Sequence, residues 1–357
     1  MKKNTQNINN TQNVINIKNV NETENIDNNI ENSINKDIPL TIFNNDIYKG
    51  VLQNFNLNNL NEKHYFFFGN GDFYSGKFKN NLFEGRGFLK TSWFEYEGDF
   101  KNGKFNRSGF VDFKDGHVIE GTFKDDIIEG KCKCIYDTGE YFEGEVRNNR
   151  FKKGKFFGEF GYYEGYFVND EFEGKGTIFY KNGNRYEGDF KNGKKEGKGI
   201  MYFVNGDKID AYWKDDFPDG KGIYYYNNGD KYVGDYKNGK QEGNGKLFFA
   251  SGNIFEGEMK NDEIEGKGIY YFSNGEIYEG EFKKGLYDGK GILYQRNNII
   301  YDGMWKNDCK DGKGSEYFSN GDIYEGFWKN ELKEGKGKYH HYNGTIEIIE
   351  FHNDRQV

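Results

Sequence analysis

The chain has 357 residues, including 50 Gly, 2 Pro, 28 Tyr and 34 Phe, and a net charge of −8. That balance argues against a nucleic-acid-binding protein, because such proteins need a basic surface. Three Cys residues are too few for an oxidised secreted scaffold, and no apolar run reaches the roughly 18 residues of a membrane span. We therefore expect a cytoplasmic protein whose core is built from aromatic rings.

Residues 1–40 differ in composition from the rest of the chain. Asn and Ile dominate them, and the first aromatic residue is Phe43. Such a segment buries too little apolar surface to offset the entropy of ordering its backbone. We expect a disordered Asn-rich leader, with a targeting or partner-binding tail as the alternative.

A repeat begins after the leader and is marked by the triplet Tyr-Glu-Gly or a close variant. Nine of the eleven steps between successive triplets are 23 residues long, and the other two are 22 and 21. A degenerate first unit surrounds Tyr48. We expect a repeat array over residues 41–351 and a frayed tail over 352–357. The twelve leading residues, each called position zero of its repeat, are Tyr74, Tyr96, Ile119, Phe142, Tyr163, Tyr186, Ile209, Tyr232, Phe255, Tyr278, Tyr301 and Tyr324.

Each repeat has the pattern of a β-hairpin. Tyr278, Gly280 and Phe282 alternate with charged residues, and this period of two predicts a strand. A turn-forming cluster follows, then a second alternating run, and in most repeats an Asn-Gly pair such as Asn182-Gly183. The recurring Gly residues and the absence of a 3.6-residue period argue against helices. The sequence predicts an all-β protein formed by one elongated, twisted, solenoid-like antiparallel sheet.

Glycine recurs at positions two, eleven and thirteen, and a large aromatic residue usually occupies position four. Residues of the same parity share one sheet face, so the ring at position four would lie over a bare glycine backbone at position eleven or thirteen. Whether opposed positions add up to fifteen or to seventeen stays open. The candidate groove aromatics are Tyr186, Phe190, Trp213, Tyr232, Tyr236, Tyr278, Phe282, Tyr301, Trp305, Tyr324 and Trp328. The candidate ring-seating glycines are Gly188, Gly197, Gly199, Gly266, Gly268, Gly280, Gly289 and Gly291.

The opposite face carries acids at positions one and three and lysines at positions five and twelve. We interpret it as a solvated face with cross-strand charge pairs. Strands lie about 4.8 Å apart, so twelve two-stranded repeats would extend over roughly 115 Å.

The repeat resembles the MORN repeat. Its signature, Tyr-Glu-Gly-x-aromatic-Lys-Asn-Gly-Lys-x-x-Gly-x-Gly, is present almost whole in residues 186–199, and the resemblance covers about residues 43–350. It implies an elongated sheet of hairpins with a groove lined by the Tyr, Gly and aromatic positions. The repeat that begins at Phe142 departs from it, because Gly154 is one place late, and the repeat of Ile119 has Cys132 in place of a Gly. We expect a kink or bulge over residues 130–162.

The resemblance implies a non-enzymatic scaffold that binds cytoskeletal or membrane-linked proteins. A module that binds phosphoinositides or a membrane surface is one alternative, and a ciliary radial-spoke-like component is another. An anionic phospholipid and a second copy of the chain are left open as further partners.

No catalytic, cofactor or metal site is expected. Every Gly-x-Gly belongs to the repeat itself, Cys132 and Cys134 lack further ligands, and His340-His341 is the single pair of adjacent histidines.

Overall fold

The computed structural model describes residues 60–68 and 70–357. The Asn-rich leader over residues 1–40 and the degenerate unit near Tyr48 lie outside the described residues. The described chain divides into two compact units, one ending at Val204 and the other beginning at Asn205. We call them the N-terminal unit and the C-terminal unit.

The N-terminal unit contains thirteen described strands. They are β1 (Leu60–Phe67), β2 (Phe73–Lys79), β3 (Leu82–Lys90), β4 (Phe94–Lys101), β5 (Lys104–Phe113), β6 (Val118–Lys124), β7 (Ile127–Ile135), β8 (Tyr141–Arg147), β9 (Arg150–Gly158), β10 (Gly161–Val168), β11 (Glu171–Tyr180), β12 (Arg185–Lys191) and β13 (Lys194–Tyr202).

The C-terminal unit contains fourteen described strands. They are β14 (Lys208–Lys214), β15 (Phe217–Tyr225), β16 (Lys231–Lys237), β17 (Lys240–Phe248), β18 (Ile254–Lys260), β19 (Glu263–Tyr271), β20 (Glu276–Lys283), β21 (Leu286–Gln295), β22 (Asn298–Lys306), β23 (Cys309–Tyr317), β24 (Ile323–Lys329), β25 (Leu332–His340), β26 (Ile346–His352) and β27 (Arg355–Gln356).

The all-β prediction is confirmed for the described residues, which contain no helix. Within each unit every strand pairs antiparallel with the next strand in the chain, as successive hairpins require. The predicted frayed tail needs correction, because β27 pairs with β26 through Phe351–Gln356 and His352–Arg355. Asn353 and Asp354 turn the chain there with φ of 50° and 61°, which extends the hairpin pattern to Gln356.

The register within a hairpin changes at a bulge. In the repeat of Tyr278, Tyr278 is opposite Leu293 and Gly280 is opposite Gly291, so these positions add up to fifteen. Beyond the bulge Phe282 is opposite Tyr287, and the sum falls to thirteen. The extra residues on β21 include Gly289 at position eleven, whose φ of +112° suits glycine. Position four therefore faces position nine of its own repeat and position eleven only of the preceding one.

Two turn types recur along the chain, and they alternate except after β21, where Arg296 and Asn297 form a two-residue turn with φ of 49° and 66°. The first turn of each hairpin has two residues with positive φ, such as Asn80 at 51° and Asn81 at 59°, which is the type I′ geometry of tight hairpins. The Asn-Gly pairs predicted to mark the second turn, such as Asn182-Gly183, lie in a longer turn, where Gly183 has a φ of 89° and its N–H donates to the carbonyl of Tyr180 at 3.0 Å. The turn predicted from Asn-Gly is present, and its Asn keeps an ordinary φ.

Turn side chains tie each repeat to the preceding one. Asp262 of one first turn accepts a hydrogen bond from the N–H of Gln241 at 2.7 Å, and Asp308 accepts one from the N–H of Tyr287 at 2.7 Å. At the second turn Asp230 accepts one from the N–H of Ala250 at 2.7 Å. These bonds satisfy backbone groups at both rims of the sheet, so a repeat is completed by its neighbour.

The two short repeats lose residues at identifiable places. Between Lys90 and Glu95 the turn has four residues, where the corresponding turn between Tyr271 and Ile277 has five. The repeat of Phe142 also has a short second turn, and its Gly144 pairs with Gly154, one place earlier than in a regular bulge. The departure predicted over residues 130–162 is thus a smaller register shift at this bulge.

Candidate binding faces of the repeats

The ring at position zero, rather than the ring at position four, covers the glycines. A Cβ added to Gly280 would lie 2.5 Å from the hydroxyl oxygen of Tyr278, and one added to Gly291 would strike the same ring. Tyr278 is fully buried, and its hydroxyl donates to the carbonyl of Glu281 at 3.1 Å. Seven of the position-zero tyrosines make this bond, at 2.9–3.2 Å. Burial raises the pKa of Tyr74, Tyr163 and Tyr278 among them, so these hydroxyls stay protonated and donate.

The identity of the residue at position zero correlates with the glycine pair. All ten repeats with Tyr or Phe at position zero have two glycines beneath the ring. The two repeats with Ile each carry one side chain there: Cys132 opposite Gly121 beneath Ile119, and Ala211 opposite Gly222 beneath Ile209. A branched aliphatic residue leaves room for a Cβ that a ring would exclude.

Five predicted ring-seating glycines lie under a position-zero ring. They are Gly188 and Gly199 under Tyr186, Gly268 under Phe255, and Gly280 and Gly291 under Tyr278. The other three, Gly197, Gly266 and Gly289, are not seats. They are bulge glycines with φ of 66°, 83° and 112°, and an added Cβ would meet an acidic side chain instead of a ring. The prediction is wrong for these three because positions eleven and thirteen look alike in sequence but differ in backbone conformation.

The eleven predicted groove aromatics lie in the core. Each is at most 6% exposed. The eleven residues are Tyr186, Phe190, Trp213, Tyr232, Tyr236, Tyr278, Phe282, Tyr301, Trp305, Tyr324 and Trp328. The ring at position four packs edge-on against the ring at position zero, as Phe282 does against Tyr278 with centroids 5.2 Å apart. This burial fits a structural role for the eleven rings in the core. None of them is accessible to a partner protein. The predicted groove is filled by its own side chains.

Position nine is a second core position that the sequence pattern does not reveal. Phe83, Phe105, Phe172 and Tyr287 stack on the position-zero ring with centroids 3.6–3.9 Å apart. Other repeats place Lys, Gln, Pro or Ile there, so no single residue type marks the position. Four of the N-terminal repeats have Phe at this position, and that is the signal the sequence offers.

Lysines at position nine sit against rings. Lys195 is fully buried, and its ammonium donates to the hydroxyl of Tyr180 at 3.2 Å. In the C-terminal unit, Lys310 and Lys333 share the carboxylate of Glu316 at 2.7 and 3.4 Å. Lys333 also lies 4.7 Å from the ring centroid of Tyr324. These contacts offset the free-energy cost of removing the ammonium groups from water.

The outer face carries charge pairs and a file of half-exposed rings. Cross-strand pairs such as Lys175–Asp189 at 2.7 Å join exposed side chains, which fits the predicted solvated face. In the N-terminal unit Tyr141, Phe157, Tyr162 and Phe179 stack one on the next across β8 to β11, with centroids 4.3, 5.2 and 4.5 Å apart. We call these four residues the outer aromatic ladder. All four rings are half-exposed.

The thiols and histidines noted in the sequence contact neighbouring side chains. The sulfurs of Cys132 and Cys134 are 3.4 Å apart and buried, and the hydrogen bond to Cys132 together with burial raises the pKa of Cys134. A protonated buried thiol is a poor nucleophile. His341 lies near Asp322 and Glu347 at 3.7 and 3.5 Å. Among residues 60–68 and 70–357 no group of three or more His, Cys, Asp or Glu side chains is placed to hold a metal ion.

In the same described residues, no helix is long and apolar enough to cross a membrane.

Tandem antiparallel hairpins with a core ring over paired glycines define a class of β-repeat protein. The family model for the MORN repeat matches eleven segments that together cover more than half of the sequence, and the chain belongs to the MORN-repeat family. The matched segments are residues 74–92, 96–118, 120–141, 163–185, 186–208, 210–231, 232–254, 255–277, 278–298, 301–323 and 324–346. The twelfth predicted repeat, from Phe142, is not matched, although β8 and β9 form its hairpin.

Comparisons with other proteins add little to the family assignment. No curated protein matches the sequence significantly. Among solved structures, the SAS-4 (dCPAP) TCP domain of Drosophila melanogaster, in complex with a proline-rich motif of Ana2 (dSTIL), is 15% identical with a TM-score of 0.25, over 49% of this chain and 83% of that one. A mutant TCP10 domain of Danio rerio CPAP is 11% identical with a TM-score of 0.20, over 68% of this chain and 99% of that one. TM-scores this low carry no functional argument.

Proposed function

We propose that this protein is a non-enzymatic scaffold that binds partner proteins along its repeats. The observation that carries the proposal is the contrast between the two faces. The inner rings are buried against their own glycines, whereas the outer face presents the outer aromatic ladder and many exposed charges. Aromatic rings beside charged groups are typical of protein-binding surfaces.

The expected partners are cytoskeletal or membrane-linked proteins, and the expected location is the cytoplasm, at the cytoskeleton or at a membrane surface. A ciliary radial-spoke-like role would use the same outer face and differ only in the partner. Self-association into a homodimer is a further proposal that light scattering of the full chain tests directly.

A membrane-surface or phosphoinositide-binding role is the second candidate. It is favoured by exposed lysines at the first turns, such as Lys237 and Lys240. The adjacent pair Lys194-Lys195 supports it less than two exposed lysines would, because Lys195 is fully buried against Tyr180. Exposed turn lysines alternate with acids, so their attraction to an anionic bilayer is partly offset.

The deciding experiment uses the purified full chain at physiological salt. It is mixed with detergent-extracted cytoskeleton in one arm, and with phosphatidylcholine vesicles with and without phosphoinositide in the other. We expect sedimentation with the cytoskeleton that is lost after protease treatment of that fraction, and no flotation with vesicles. Cross-links should map to outer-face lysines such as Lys175 and Lys221, which are exposed, and not to Lys195. Flotation without protein-dependent sedimentation would instead assign the chain to membrane binding.

A further inference from the structure

One row of outer-face side chains follows a simple rule in several repeats of both units. A lysine at position twelve lies opposite position three of the next repeat, which often carries an acid. Lys175 contacts Asp189 at 2.7 Å, and Lys221 contacts Asp235 at 2.6 Å. The acid neutralises the lysine across the strand pair.

Two consecutive repeats of the C-terminal unit break this rule. Met304 is opposite Lys290 on β21, and Phe327 is opposite Lys313 on β23. Met304 is 40% exposed and Phe327 is 55% exposed, so neither residue belongs to the core. Nothing in the packing of the repeat requires an apolar residue at position three, where six other repeats have Asp or Glu.

The exchange leaves Lys290 and Lys313 without an acid opposite them. Among the described residues Lys290 has no ion pair and Lys313 reaches only Glu325, at 3.4 Å. Lys336 forms no ion pair there either, although Glu350 lies opposite it. We call Lys290, Met304, Lys313, Phe327 and Lys336 the basic–apolar row. It crosses β21 to β25, one residue on each strand, with cations and apolar side chains in alternation.

We infer that the basic–apolar row binds an extended acidic segment of a partner protein. The lysines provide the charge complementarity, and the exposed Met and Phe side chains provide the apolar area that surface ion pairs alone lack. This inference rests on the proposed scaffold function and names the chemistry of one partner.

The spacing of the row indicates how such a segment would match it. Successive lysines are two strands apart, about 10 Å, because neighbouring strands lie about 4.8 Å apart. An extended or polyproline II chain covers that distance in about three residues. An acid at every third position would therefore meet Lys290, Lys313 and Lys336 in turn.

The neighbouring rows favour a narrow chain over a flat anionic membrane. Asp302 and Glu325 flank the apolar residues on one side. On the other side lie Asp311, which pairs with Lys329 at 3.0 Å, and Glu334, which is opposite Phe327. A bilayer surface would press its headgroups against these carboxylates. A single extended chain lying along the row would not.

The test uses the full chain and three probes. They are a fluorescent peptide of Asp-Ala-Pro repeats, the same peptide with Lys in place of Asp, and vesicles of phosphatidylcholine and phosphatidylserine. The key variant combines Met304→Glu with Phe327→Glu, which restores the acid that other repeats carry and therefore leaves folding intact. The matched control is Tyr166→Glu, which changes an exposed position-three residue in the N-terminal unit.

We expect the acidic peptide to bind the unaltered chain, with affinity at least about tenfold lower for the double variant and unchanged for the control, a difference of roughly 1.4 kcal/mol. Three outcomes would overturn the inference. They are absence of peptide binding, equal peptide binding by all three proteins, and vesicle binding that the double variant abolishes while the peptide does not bind. Retention by the cytoskeletal fraction in any of those cases would leave the scaffold function standing. Loss of that retention with intact peptide binding would overturn the scaffold function and leave peptide binding by the basic–apolar row standing.

Discussion

The pairing of a core ring with bare glycines can be tested by rebuilding one repeat on the plan of another. In the repeat of Tyr278, the change Gly280→Ala places a Cβ 2.5 Å from the hydroxyl oxygen of Tyr278. We expect it to destabilise the repeat by about 2 kcal/mol, in the range of core overpacking. The change Tyr278→Ile should cost about 3 kcal/mol, because it removes a fully buried ring, its stacking on Tyr287 and its hydrogen bond.

The variant that combines Tyr278→Ile with Gly280→Ala copies the arrangement of Ile209 and Ala211. The losses in free energy of unfolding caused by the two changes should therefore not add. Without the ring the new Cβ has space, and the double variant should lose about 3 rather than about 5 kcal/mol, a coupling of about 2 kcal/mol. Hydrogen exchange of β20 and β21 in the full chain measures the local opening free energy and avoids assuming two-state unfolding of a repeat array. Additivity within about 0.5 kcal/mol would refute the ring-over-glycine account.

Three further outcomes are expected. Gly268→Val should lower the melting temperature more than Lys267→Val, since a Cβ at Gly268 lies 2.8 Å from the Cζ of Phe255 while Lys267 faces solvent; equal shifts would contradict the packing argument. The N–H of Tyr342 lowers the pKa of Asp322, so Asp322 should stabilise the last repeats above its ordinary pKa and lose that effect as pH falls through the lowered value. Acid melts of Asp322→Asn should then show a weaker pH dependence than the unaltered chain, and an identical dependence would rule this out. In the folded protein Cys309 should react with iodoacetamide before the buried Cys132 and Cys134, as mass spectrometry of the alkylated chain can show, and simultaneous modification would argue against their burial.

The parity of the repeat could be predicted from the sequence alone. Tyr278 and Phe282 are buried and Glu279 is exposed, as strict alternation requires. The phase of the repeats was equally accessible, since each turn signal recurs at a nearly constant spacing. Both properties depend on local residue types, which a repeat displays many times.

The register and the choice of ring could not be predicted. Gly289 and Gly291 are two residues apart and identical in type, yet the first adopts a φ of +112° in a bulge and the second lies under Tyr278. The bulge changes which residues oppose each other, so an argument from uniform pairing assigned the glycines to the ring at position four. Position nine was missed for a different reason. Its residues share burial but not chemistry, from Phe172 to Lys195.

The dependence of the glycine pair on the residue at position zero restricts the order in which these repeats can diverge. A repeat that first exchanges its ring for isoleucine can afterwards accept alanine or cysteine in place of one glycine, as the repeats of Ile119 and Ile209 have done. The opposite order passes through an intermediate in which a Cβ and a ring compete for the same space. We therefore expect a lost ring to be regained more readily after both glycines have been restored.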